Sequence, residues 1–97
     1  MALYITLANY TDQGIRNLKE MADRLGAARR AIEAAGGKLL AYHLTLGQYD
    51  AVVLIEAPDD ATYATVVLSI AGGGNIRTTT LKAFSEEESI QVMRNLP

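Results

Sequence analysis

Between Leu3 and Ala8 the apolar residues Leu3, Ile5 and Leu7 alternate with Tyr4, Thr6 and Ala8, the two-residue period of a strand with one strongly apolar face. The period then changes. Ile15, Leu18, Ala22, Leu25, Ala28 and Ile32 recur at spacings of three and four, which places them on one face of a helix. Thr11 or Asp12 stands where its N-cap belongs, and Gly36-Gly37 ends it. Gly14 and Gly26 each weaken that helix by roughly 1 kcal/mol relative to alanine, so either is a place for it to break.

A second strand is predicted from Lys38 to Leu46, with Leu40, Tyr42, Leu44 and Leu46 on one face and Leu39, Ala41, His43 and Thr45 on the other. Gly47 and Asp50 are turn formers: glycine reaches backbone conformations closed to other residues, and aspartate bonds nearby amides. The strand that leaves the turn, Asp50 to Ala57, centres on Ala51-Val52-Val53-Leu54-Ile55 and is apolar on both faces, so both must be covered. Pro58 closes it. Asp59 or Asp60 caps a second helix from Ala61 to about Ala71, stopped by Gly72-Gly73-Gly74. Asn75 to Phe84 reads as a fourth strand around Thr78-Thr79-Thr80-Leu81. Ser85 and Glu88 then form a capping box for a short helix carrying Ile90, Met93 and Leu96.

The order βαββαβ with a terminal helix predicts an α+β, ferredoxin-like fold: one antiparallel sheet with both long helices on one face. The other face is then bare in a monomer. Each Val or Leu left in water there forgoes about 1.5 to 3 kcal/mol of burial, and a second copy packed sheet to sheet is the expected cover. A homodimer sharing a barrel between its two sheets follows.

The 97 residues suit one domain spanning the whole chain. A net charge of −2 offers no attraction to nucleic acid or to acidic lipid. Arg24, Arg29 and Arg30 are interleaved with Glu20, Asp23 and Glu33, as on a solvated helix face. There is no cysteine, and with one histidine no metal-ligand set is recognisable. The start, Met1-Ala2-Leu3-Tyr4-Ile5, has neither the basic region nor the apolar run of a secretory signal, so a soluble cytoplasmic protein is expected. Nothing calls for a cofactor.

Candidate chemistry rests on few residues. If the leucine-rich faces of the strands meet the helices, His43 points into the dimer barrel beside Tyr4 and Thr6, where an imidazole could act as a general base near neutral pH. No paired carboxylate or nucleophile accompanies it, so a packed structural histidine is the competing reading. Tyr49 and Asp50 either hold a ligand at the barrel mouth or brace the turn, a role aspartate takes without any ligand. Arg77, Thr78, Thr80 and Lys82 suit an anion or simply a strand. Gly72-Gly73-Gly74-Asn75 follows a helix and precedes a strand, whereas anion-cradling glycines precede a helix.

Gly47-Gln48-Tyr49-Asp50 also resembles the Gly-x-Tyr-Asp stretch of the GYD family of small bacterial and archaeal proteins. Thr11-Asp12-Gln13-Gly14-Ile15, Glu56-Ala57-Pro58-Asp59-Asp60 and Gly74-Asn75-Ile76-Arg77-Thr78 support the likeness, in the family's order and across essentially the whole chain. The resemblance implies a dimeric α+β barrel and brings no reaction with it. His43 departs from the pattern, which usually has an aromatic residue such as Trp there. Three functions are compatible with these residues. The first is a dimeric small-molecule binding or sensing module using the barrel interior, with Tyr4, Thr6, His43, Tyr49 and Asp50 as candidate contacts. The second, by fold analogy alone, is a cofactor-independent isomerase or oxygenase with His43 as base and Tyr4, Thr6 or Tyr49 positioning the substrate. The third is an interaction subunit without a pocket.

Overall fold

A computed structural model describes residues 1–97. Four strands, β1 (Ala2–Tyr10), β2 (Lys38–Leu44), β3 (Ala51–Ala57) and β4 (Ile76–Ala83), form one antiparallel sheet in the order β2-β3-β1-β4. Between them run α1 (Asp12–Arg16), a single 3-10 turn (Leu18–Glu20), α2 (Met21–Ala34) and α3 (Asp60–Ala71); α4 (Glu86–Arg94) follows β4. The class is α+β, and the element and strand orders are consistent with the ferredoxin-like arrangement. No helix is long and apolar enough to cross a membrane.

α2 and α3 cover one face of the sheet. Ile32 of α2 and Tyr63 and Val67 of α3 pack there on Tyr4, Leu39, Val53, Ile55 and Ala57. The burial along β1 and β3 alternates strictly: Tyr4, Thr6 and Ala8 are buried, as are their neighbours across the ladder, Ile55, Val53 and Ala51. Leu3, Ile5 and Leu7 point the other way, beside Glu56, Leu54 and Val52. The helices therefore cover the face holding Tyr4 and Thr6, and the leucine-rich face is the bare one. This reverses the sequence expectation. Its cause is chemical: the two polar residues find hydrogen-bond partners on α3, which offsets the cost of burying them.

The parity of β2 changes within the strand. Leu39 pairs with Ile55 and Ala41 with Leu54, so Leu40 is an extra residue, a β-bulge that two-residue periodicity cannot anticipate. On the far side of the bulge Tyr42 joins Leu39 on the helix face, while Ala41 and His43 lie on the bare face. The strand also ends at Leu44 rather than Leu46.

The first helix breaks shortly after Gly14, one of the two glycines near which a break was expected, and not near Gly26. Asn17 ends α1, its N–H bonding Gln13 and Gly14 carbonyls, and the 3-10 turn redirects the chain into α2, which runs unbroken through Gly26. Ile15 and Leu18, counted in the apolar stripe, are exposed as a result. The capping box of α4 forms as expected, with the Ser85 hydroxyl accepting from the Glu88 N–H and Glu88 accepting from the Ser85 N–H. α4 itself is exposed along almost all its length, and the molecule measures 51 Å against 31 and 18 Å in the other directions.

Candidate functional site

Under α2 and α3 the helix face of the sheet holds a cavity of about 110 Å³. Buried Ala8, Ile32, Leu39, Ala51, Val53 and Ile55 form its inner wall, and it is open on one side, where half-buried Tyr10, Met21, Arg24, Tyr42 and Asn75 contribute. Small side chains, Ala8, Ala28 and Ala51, are among those that line it. Fourteen of the eighteen lining residues are hydrophobic, so the pocket favours apolar matter.

The polar groups around it are mostly committed. The Thr6 hydroxyl is 2.5 Å from the Tyr63 hydroxyl, which is also 2.7 Å from that of Thr80. Tyr63 stacks on Tyr4, centroids 4.0 Å apart at 9°. Tyr4, 2% exposed, donates its hydroxyl to Asp60 Oδ1 at 2.5 Å, and Lys82 Nζ donates to the same carboxylate. Burial, then the bond to Asp60, pushes the Tyr4 phenol up to about 12. The Tyr4 hydroxyl, then Lys82, hold Asp60 below the ordinary carboxylate value. The Arg24 guanidinium is tied to the Asn17 carbonyl and to Glu20. At the outer wall the hydroxyls of Tyr10 and Tyr42 lie 2.5 Å apart, and burial, then this bond, raise the Tyr42 phenol.

The sequence-derived candidates fall into three separate places. Thr6 lines the helix-side cavity, and Tyr4 lies on the same face under Tyr63. His43 pairs across with Val52, itself beside Leu7, and so is exposed on the bare face, separated from Tyr4 and Thr6 by the thickness of the sheet. The expected grouping of His43 with Tyr4 and Thr6 is therefore not formed within the chain, because the bare face is the leucine-rich one. Asp50 accepts the Tyr10 N–H at 2.9 Å on Oδ2, its own N–H bonds the Ala8 carbonyl, and its carbonyl accepts from Thr45. Tyr49 accepts the Thr45 hydroxyl on its backbone oxygen. This network fastens the β2–β3 turn to the end of β1, with Gly47 supplying a backbone φ of 132°.

Sequence reading missed the cavity, because Ala28, Ile32, Leu39, Val53 and Ile55 are ordinary core residues and a void leaves no mark on residue type. It also missed the Tyr10–Tyr42 pair, which depends on the bulge at Leu40 for Tyr42 to face the helices. No group of three or more His, Cys, Asp or Glu residues is placed to hold a metal. No buried side-chain nitrogen or oxygen lacks a partner.

Two of the motif blocks meet in space. The Thr11 N–H bonds the Asn75 carbonyl and its hydroxyl the Gly74 carbonyl, while Gln13 Nε2 reaches the Gly73 carbonyl and Asn75 Oδ1. The third block caps α3, Asp59 Oδ1 accepting from the Thr62 N–H at 2.8 Å. The chain is 34% identical over 85 residues, 87% of its length and 90% of the relative's, to the "Glutamine synthetase and cystathionine beta-lyase binding protein" of Thermus thermophilus. Its fold resembles the crystal structure of TTHA0845, also from Thermus thermophilus, with a TM-score of 0.56 at 24% identity, covering 88% of this chain and 95% of that one. The GYD domain model matches residues 4–93, and the chain belongs to the GYD domain family.

Proposed function

We propose that this protein is a homodimeric binding module that takes a small apolar ligand in the cavity between its helices and its sheet. The observation that carries this reading is the cavity itself: about 110 Å³, open on one side and walled almost wholly by hydrophobic side chains. Apolar voids in folded proteins stay dry, and a cavity of roughly 150 Å³ accommodates benzene. A pocket somewhat smaller but open suits a ligand of similar size. Catalysis has less support, since His43 lies on the opposite face and the Thr6, Tyr63 and Thr80 hydroxyls are hydrogen-bonded to one another.

Benzene titrated into ¹³C-methyl-labelled protein tests the reading. Ile32, Ile55 and Val67 methyl resonances are expected to shift in a saturable way, and Ala28→Leu, which fills the void, is expected to weaken binding at least tenfold. Shifts confined to Leu3, Ile5 and Leu7, or none, would overturn it.

A second reading, attachment to other proteins, has its own support in α4. Ile90, Val92 and Met93 are exposed on it and Leu96 just beyond its end, and exposed apolar surface, where contiguous, marks interaction sites. The Thermus relative's name describes a protein that binds two enzymes. The two readings are compatible, because α4 and the cavity are distinct parts of the molecule.

A further inference from the structure

Resting on the proposed ligand cavity, we infer that its occupant is a neutral ring compound of about benzene size carrying a hydroxyl group, held through that hydroxyl by the Tyr10–Tyr42 pair. Both tyrosines line the cavity, and their hydroxyls are 2.5 Å apart. A phenol has one proton to donate and two lone pairs to accept with. One of the two O–H groups donates to the other oxygen; the second proton has no acceptor within the protein, since neither hydroxyl makes another side-chain or backbone hydrogen bond. The pair thus presents one free donor and spare lone pairs, held in place by a mutual bond, at the outer wall of a pocket lined mainly by apolar side chains. A hydroxyl oxygen meets both needs: it accepts the free proton and returns its own.

Charge narrows the class further. A carboxylate or phosphate in the cavity would need an unbalanced cation, and Arg24, which lines the cavity, already has its charge balanced by the Glu20 carboxylate 2.8 Å away. An ammonium ligand would need an anion, and Asp50 is engaged by the Tyr10 amide N–H while Asp60 is held by Tyr4 and Lys82. Removing an unpaired charge from water costs far more than apolar contact returns. Neutral ligands remain. Tyr42, whose phenol is pushed up by burial and by Tyr10, stays protonated and able to donate throughout the neutral range.

Phenol, benzene and benzoate, three probes of one ring size, separate the possibilities in a calorimetric or methyl-NMR titration of the native protein. Phenol is expected to bind about three- to tenfold more tightly than benzene, the ratio one neutral hydrogen bond supports, and benzoate not measurably. In the Tyr10→Phe/Tyr42→Phe double variant the phenol-to-benzene ratio should collapse to about one, with benzene affinity kept; retained benzene binding also shows that the variant is folded. Equal binding of phenol and benzene to the native protein, a preference that survives in the double variant, or a preference for benzoate would each overturn the inference while leaving the cavity reading intact. Failure of all three probes to bind would overturn both.

Discussion

Tyr4 joins the core to the solvent edge through one hydroxyl. Its ring stacks on Tyr63 inside, and its oxygen donates to Asp60, which Lys82 also reaches from outside. Stability is therefore linked to pH at two ends. The Tyr4 phenol is raised to about 12, so its contribution is complete below the ordinary tyrosine value of 10 and is lost as pH rises from 10 through about 12. Asp60 is lowered, so its contribution is present above the ordinary carboxylate value and is lost as pH falls through its folded value below that. Urea midpoints measured across the pH range should fall at both ends. Tyr4→Phe should be less stable at pH 8 and show a shallower decline between pH 10 and 12; an alkaline limb unchanged by the substitution would contradict this linkage. Residue type alone revealed little of it. Asp59 and Asp60 were legible as helix-start residues, and Asp59 is the cap, but the Asp60 link to Tyr4 requires knowing which face of β1 meets α3. Asp50 was legible as a turn residue that needs no ligand, and its bonds to β1 are of that kind.

At the scale of elements, the short α1 and the loop before β4 are locked together through Gly14. A β-carbon there would lie 2.1 Å from the Asn75 carbonyl oxygen, a backbone atom that cannot swing aside. The glycine is in ordinary helical backbone, so its requirement is close approach and not conformation. Gly14→Ala should lower stability by about 1–3 kcal/mol, as overpacking of a tight contact does, whereas Gly26→Ala, whose β-carbon would meet nothing closer than 3.5 Å, should be neutral or stabilising. Chemical denaturation of the two variants checks the contrast, and equal effects would contradict it. Strands β1, β3 and β4, the second long helix and the capped α4 were readable from periodicity and capping residues. A break near Gly14 was legible from the glycine, but its exact place at Asn17 was not, because the helical spacing of Ile15 and Leu18 continues through it. Nor was the bulge at Leu40, which is set by pairing with β3 and reverses which side chains of β2 share a face with the helices.

The whole molecule is a sheet with two unlike faces. One is covered by helices and encloses the cavity; the other presents Leu3, Ile5, Leu7, Val52, Leu54 and Leu81 in adjacent strands, with Leu81 half exposed. Grouping His43 with Tyr4 and Thr6 required the leucine-rich face to lie against the helices, and its actual place makes the bare face the more apolar one. That strengthens the case for a second copy across it. The whole bare face, four strands wide and seven residues long, projects to roughly 450 Å², before side-chain relief adds to it, against about 800 Å² per partner in typical stable complexes. On the proposed function, the bare face binds the partner copy and the covered face binds the ligand. Sedimentation equilibrium of the native protein and of Leu7→Asp, with benzene binding measured on the same samples, tests this division most directly. The native protein should have twice the 10.5 kDa chain mass, and Leu7→Asp should sediment as a monomer that still binds benzene. A native protein that is monomeric at every concentration, or a monomeric variant that loses the ligand along with its partner, would contradict it.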